Sequence, residues 1–169
     1  LSVMDLRRAY QIGRLAQHPA TIRQVDVSAD GRRVATFADD QILRLFALPT
    51  GVLLREIPLS LDFLALGERP HASLFSFSPD SRRLFALDCG DRVGAGCPMV
   101  RLRVFDTAQG ERHSEILPPG EPVDYTSRSD GTVTVLVAGQ APRFYDAGSG
   151  MEWPLPTGEA AVAGGAAAC

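Results

Sequence analysis

Three stretches of this chain repeat one pattern of apolar and polar positions. In the first, Ile22, Val25 and Val27 give way to Ser28-Ala29-Asp30-Gly31, and an apolar run follows from Val34 to Ala38. Asp39-Asp40-Gln41 interrupts it. Apolar residues resume on both faces of 42–46, Pro49-Thr50-Gly51 interrupts again, and 52–57 closes the unit. Short apolar runs bounded by Asp, Ser, Pro and Gly predict strands joined by tight turns. Gly accepts positive φ there, and Asp bonds the local backbone. The pattern returns over 73–117 and 123–155, with Asp80 and Asp130 standing where Asp30 stands.

The second unit carries an insertion at 88–99 between its predicted strands at 83–87 and 100–105. The third is compact, with strands expected at 133–137, 143–145 and 151–155, and Pro142 points to an edge or a bulge. Residues 1–6 and 10–15 match third and fourth strands of a preceding unit. A period near ~40 residues with four strands per unit is the mark of a β-propeller blade. The expected fold is therefore all-β: a segment of antiparallel four-stranded blades forming an incomplete ring. The expected division is a half blade at 1–17, blades at 18–59, 60–120 and 121–156, and an Ala/Gly-rich tail or the start of a further blade at 157–169. Closed propellers carry about four to eight blades, so the remainder is expected from the parent chain or from another chain.

The repeats resemble the bacterial WD-repeat family of β-propellers. The closest match runs from His18 to Gly51, HPATIRQVDVSADGRRVATFADDQILRLFALPTG. In that family a buried polar relay links a His before strand one, a Ser or Thr in strand two, an Asp in the second turn and a Trp in strand three. The resemblance places these on His18, Thr36, Asp40 and Phe46. Phe46 has no indole N–H, so at most three members remain. Phe46-Ala47, Phe105-Asp106 and Tyr145-Asp146 stand in place of the Trp-Asp dipeptide. The family implies a non-catalytic scaffold that binds a protein or peptide on its rim loops. Relatives are often fused to effector domains.

Composition narrows the alternatives. A net charge of -3 over 169 residues offers no electrostatic reason to bind nucleic acid. No apolar run reaches the ~20 residues of a membrane helix, and no signal peptide is expected at the start. There is no Lys, hence no phosphate-binding Gly-Lys loop. His18, His71 and His113 fall in different units, and no Cys-x-x-Cys occurs, so no metal site is expected. His18, Thr36 and Asp40 have the residue types of a catalytic relay. Mutual hydrogen bonding under a loop is the simpler account, and no Gly-x-Ser-x-Gly elbow is present. Neither catalytic residues nor a cofactor are expected. Arg32-Arg33 and Arg82-Arg83 follow the turn aspartates and read as solvated turn residues.

Cys89 and Cys97 flank a Gly-rich stretch. A bridge between them would indicate an oxidising compartment such as the periplasm. The plainer reading is a pair of reduced thiols, which favours the cytoplasm. Candidate contact residues lie in the two long connections. Phe63, Leu64 and Arg69 belong to 59–70, and Asp91 and Arg92 to 88–99. Apolar side chains in a loop on a rigid scaffold can anchor a protein or peptide. The runner-up readings are a propeller attached to a peptidase or quinoprotein-like enzyme, and an extracytoplasmic surface propeller.

Overall fold

The structure is a computed structural model describing residues 2–5, 10–14, 18–60, 73–89, 100–108, 110–120 and 122–154. All regular structure among these residues is β. β1 (Ser2–Asp5) and β2 (Tyr10–Arg14) form a two-stranded antiparallel ribbon. Blade I contains β3 (Ile22–Val27), β4 (Arg33–Ala38), β5 (Ile42–Ala47) and β6 (Leu53–Pro58), in that spatial order. Blade II contains β7 (Phe75–Phe77), β8 (Arg83–Asp88), β9 (Arg101–Asp106) and β10 (Arg112–Ile116). Blade III contains β11 (Pro122–Ser127), β12 (Thr132–Val137) and β13 (Arg143–Asp146). Of the expected fourth strand of blade III, at 151–155, the described residues show one bridge, Tyr145 to Glu152, with the Trp153 amide bonded to the Phe144 carbonyl at 2.7 Å. β13 begins one residue after Pro142, which has no N–H to give to a ladder.

The turn signature acts locally. The Ser28 hydroxyl donates to Asp30 Oδ1 at 2.7 Å and accepts the Arg33 amide at 3.0 Å; Asp30 Oδ1 also accepts the Arg32 amide at 3.0 Å. Ser78 and Asp80 reproduce the set around Arg82 and Arg83. In blade III only the aspartate part survives, with the Thr132 amide 2.9 Å from Asp130 Oδ1, because Arg128 stands where the serine would be. The hydrogen bond from Ser28, then the Arg32 amide, holds the Asp30 carboxyl below the usual carboxylate range. Burial opposes ionisation of Asp80, but the Ser78 hydroxyl and Arg82 amide outweigh it, so this carboxyl is lowered too.

Successive residues of a strand point to opposite faces. In blade I, Ala35, Phe37, Leu43 and Leu45 share the face that packs on blade II. Val34, Phe46 and the partly buried Leu48 make a smaller cluster on the other face. Blade II is apolar on both faces, with Leu84 and Phe105 on one side and Phe85, Leu87, Leu102 and Val104 on the other. Val133, Val135, Val137 and Tyr145 of blade III complete the same continuous core. The blades therefore stack face to face, with β3 and β7 side by side along the inner edge. This is the arrangement the repeat predicts.

Glycine is required where one blade's outer turn meets the preceding blade. Gly110 has φ +68, and a Cβ there would lie 2.7 Å from Arg55 Cβ. Gly150 has φ +74, and its Cβ would lie 2.2 Å from the Glu115 carbonyl oxygen. Both turns thus combine the left-handed backbone with backbone-to-strand contact, which a side chain forbids.

Candidate interaction surface

The histidine relay takes a different form from the expected one. His18 Nε2 lies 2.9 Å from Thr36 Oγ1, and His18 Nδ1 lies 3.4 Å from an Arg44 guanidinium nitrogen. Arg has donors only, so Nδ1 is the acceptor and Nε2–H is the donor to Thr36. Arg44, rather than Asp40 alone, closes the group. It sits 2.7 Å from Asp40 Oδ2 and donates through Nε to Glu56 at 2.8 Å. Burial, then the Arg44 charge, pushes the His18 pKa below its ordinary value, and the contact with Arg44 holds Asp40 low. Phe46 meets the His18 ring edge to face at 5.9 Å and serves as packing where an indole would donate. Thr36 and Arg44 hold the two ring nitrogens of the imidazole, and Asp40 and Glu56 hold Arg44 in turn.

Side chains of one inner strand grip the backbone of the next. The Gln24 carboxamide donates to the Phe75 carbonyl and to Ser73 Oγ at 2.7 Å, and it accepts the Leu74 amide at 2.9 Å. Asp26 Oδ2 accepts the Phe77 amide at 2.8 Å. The Asp30 amide donates to Ser81 Oγ at 3.0 Å, while the Ser81 carbonyl accepts the Thr107 hydroxyl at 2.7 Å. Ser81 occupies the left-handed turn position with φ +62, where the other two turns have Gly31 and Gly131. Its hydroxyl is what the glycines lack, and it ties the turns of blades I and II together. Between blades II and III, the Ser76 hydroxyl donates to Tyr125 Oη at 3.2 Å, and burial of Tyr125 drives its pKa far upward.

A second polar node anchors the two long connections. Asp88 is the buried last residue of β8, and its Oδ2 accepts from Arg101 at 3.0 Å and from Arg103 at 3.1 Å on β9. Its Oδ1 accepts the Ser60 amide at 2.8 Å, and the Ser60 carbonyl accepts the Cys89 amide at 2.7 Å. Arg101 also reaches Glu115 at 3.0 Å, and Arg103 reaches the Pro58 carbonyl at 3.2 Å. The end of one connection and the start of the other are therefore fixed to a single corner. Cys89 is disulfide-bonded, which corrects the expectation of reduced thiols. Pairing depends on the distance and direction between two Cβ atoms, and the sequence spacing does not report either. Cys97 lies outside the described residues, as do Phe63, Leu64, Arg69, Asp91 and Arg92.

Arg83, read from sequence as a solvated turn residue, instead lies over the next blade. Its guanidinium nitrogens come within 3.1 Å of a Cβ position at Gly131 and 3.5 Å of one at Gly148. Arg44, Gln24 and Asp88 carry no local motif, and each acts on an element distant in sequence. Only the polar identity of Gln24 and Asp26 among apolar strand residues hinted at a role.

No family profile matches the sequence, and no curated protein sequence matches it. Solved structures do resemble the fold. KlHsv2 with loop 6CD replaced by a Gly-Ser linker superposes with a TM-score of 0.54 at 18% identity, covering 76% of this chain and 40% of that one. The WD40 repeats of RRP9 give 0.54 at 12% identity, with 78% of this chain and 37% of that one covered. The β-propeller domain of Cps50 (Swd1) from Myceliophteria thermophila gives 0.52 at 14% identity, covering 82% and 38%. The chain thus spans about two-fifths of the length of each of these propellers. Its fold is that of a β-propeller segment, with antiparallel blades stacked face to face.

Proposed function

We propose that the chain is a non-catalytic protein-interaction scaffold of the WD-repeat type that binds a protein or peptide through its rim loops. One observation carries the reading. The connections that leave at Ser60 and Cys89 start from the same buried corner, held by Asp88 and two arginines. A rigid root with long loops is how scaffolds present binding residues. Phe63, Leu64, Arg69, Asp91 and Arg92 remain the proposed contact residues. Sheet from the parent chain or from another chain is proposed to cover the outward blade faces.

The test is affinity selection of a displayed peptide library on the immobilised full chain. Phe63→Asp is expected to weaken selected binders by at least about tenfold, as loss of an anchor does. No enrichment over an unrelated β protein, or binding indifferent to both Phe63→Asp and Arg92→Glu, overturns the reading. Hydrolytic or redox turnover by the chain would favour the enzyme-attached alternative.

The disulfide at Cys89 favours a second reading, an extracytoplasmic surface propeller, because such bonds persist in oxidising compartments. Thiol labelling of protein taken from its native cells tests this. A freely alkylated Cys89 without reductant would rule it out.

A further inference from the structure

Arginine is treated differently at the two ends of the strands. Toward the end where β4, β8 and β12 finish, Arg44 lies 2.7 Å from Asp40, Arg101 and Arg103 lie 3.0 and 3.1 Å from Asp88, Arg143 lies 2.8 Å from Glu152, and Arg23 pairs with Asp39. Where β4 and β8 begin stand Arg32, Arg33, Arg82 and Arg83. No hydrogen bond or ion pair joins any of these four guanidinium groups to a described residue. The carboxylates beside them, Asp30 and Asp80, spend Oδ1 on the Ser28 and Ser78 hydroxyls and on the Arg32 and Arg82 amides. The four arginines lie on one continuous rim. The Asp30 amide reaches Ser81 Oγ at 3.0 Å, which sets the turn of blade I against that of blade II. Arg83 carries the row onto blade III. Gly131 and Gly148 stand where blade II has Ser81 and Ala108, and the missing side chains leave a slot for its guanidinium. A Cβ at Gly148 would lie 3.5 Å from Arg83 Nη2 and 3.8 Å from His113 Nε2. Asp146 Oδ1 borders the same point at 3.1 Å, and it accepts the Ser149 amide and hydroxyl.

We propose that the rim formed by the turns at 28–33, 78–83 and 128–131 binds an acidic peptide, with Arg83 as the anchor and Arg32, Arg33 and Arg82 along its path. Arg83 is half-buried and has no acceptor, so an incoming carboxylate gives its planar fork the paired hydrogen bonds it lacks. An extended peptide presents side chains on one face every ~7 Å, so a run of Glu or Asp meets successive arginines without a fixed register. A net charge of -3 works against a polyphosphate such as nucleic acid, whose capture depends on summed positive charge. Arg83 and Asp88 are the two ends of β8, roughly 17 Å apart, so this site is separate from the corner that roots the long connections. The inference therefore does not rest on the rim-loop reading.

Fluorescence anisotropy of a labelled octaglutamate peptide titrated with the full chain reads the outcome, with octalysine and a single-stranded octanucleotide as comparisons. Half-saturation is expected below about 200 μM at low salt, weakening several-fold at about 0.15 M salt. Arg82→Gln and Arg83→Gln are each expected to weaken binding about threefold, and Arg82→Glu combined with Arg83→Glu at least about tenfold. Arg23→Gln removes the same charge at the other end of the strands and is expected to leave binding unchanged. Far-UV circular dichroism confirms that each variant is folded. No binding up to about 2 mM overturns the proposal. So does binding that is indifferent to the Arg82 and Arg83 variants, or weakened as much by Arg23→Gln. Equal binding of octalysine overturns it as well, and tighter binding of the octanucleotide does so in favour of a polyphosphate.

Discussion

The inner strands of blades I and II carry nearly the same pattern and meet different surroundings. Val25 of β3 is 42% exposed, while its counterpart Phe75 of β7 is fully buried against blade I. Gln24 and Asp26 point the other way, onto β7, which leaves Val25 and Val27 facing outward from the stack. The same apolar alternation therefore makes a core position in one blade and a surface position in another. In a stacked repeat a residue's burial is a property of its neighbour as much as of its own strand.

The sharpest way to break this comparison is to truncate both sides of it. Phe75→Ala should cost about 3–5 kcal/mol in urea unfolding, because it empties a fully packed site. Val25→Ala should stay within about 0.5 kcal/mol. Equal losses would show that Val25 is covered in solution. The buried node is expected to come next. Asp88→Ala leaves Arg101 and Arg103 facing each other without their shared carboxylate, for a loss of about 3 kcal/mol; both arginines retain some solvent, which places it at the low end for a broken buried pair. A loss under about 1 kcal/mol would mean that the node is solvated. Gly150→Ala should destabilise by about 2 kcal/mol through its left-handed backbone and the Glu115 carbonyl. Thermal unfolding checks it, and an unchanged midpoint would show that blades II and III do not pack closely there.

The smallest effect is expected at His18. Its pKa is lower in the folded chain than the ordinary 6.5, so the unfolded chain binds more protons between the two values. Stability is complete above about pH 6.5 and falls as the pH drops toward the folded value. The urea midpoint of the wild type should decline between pH 7.5 and 5.5, and His18→Gln should flatten that decline. An identical slope in the variant would remove His18 from the relay.

The turns were legible because their chemistry spans a few residues. Ser28, Asp30 and Gly31 bond each other and their immediate neighbours, so spacing alone announces them. The relay was legible in part. His18 and Thr36 meet as their positions suggested, but Arg44 enters because the pleat turns its side chain beneath the imidazole. Asp88 looked like one loop carboxylate among several, and its burial depends on Arg101, Arg103 and Ser60 arriving from separate elements. The proposed contact residues on the two long connections stay legible only as composition.

By itself the sequence determined the strand character of its apolar runs and the turns between them, since these follow from side-chain alternation and local backbone bonding. Tertiary structure alone decided which apolar faces are covered, that Arg83 lies over the next blade, and that Cys89 is bonded. Each of those depends on distances between segments far apart in the chain, which only the packing of one sheet on another sets.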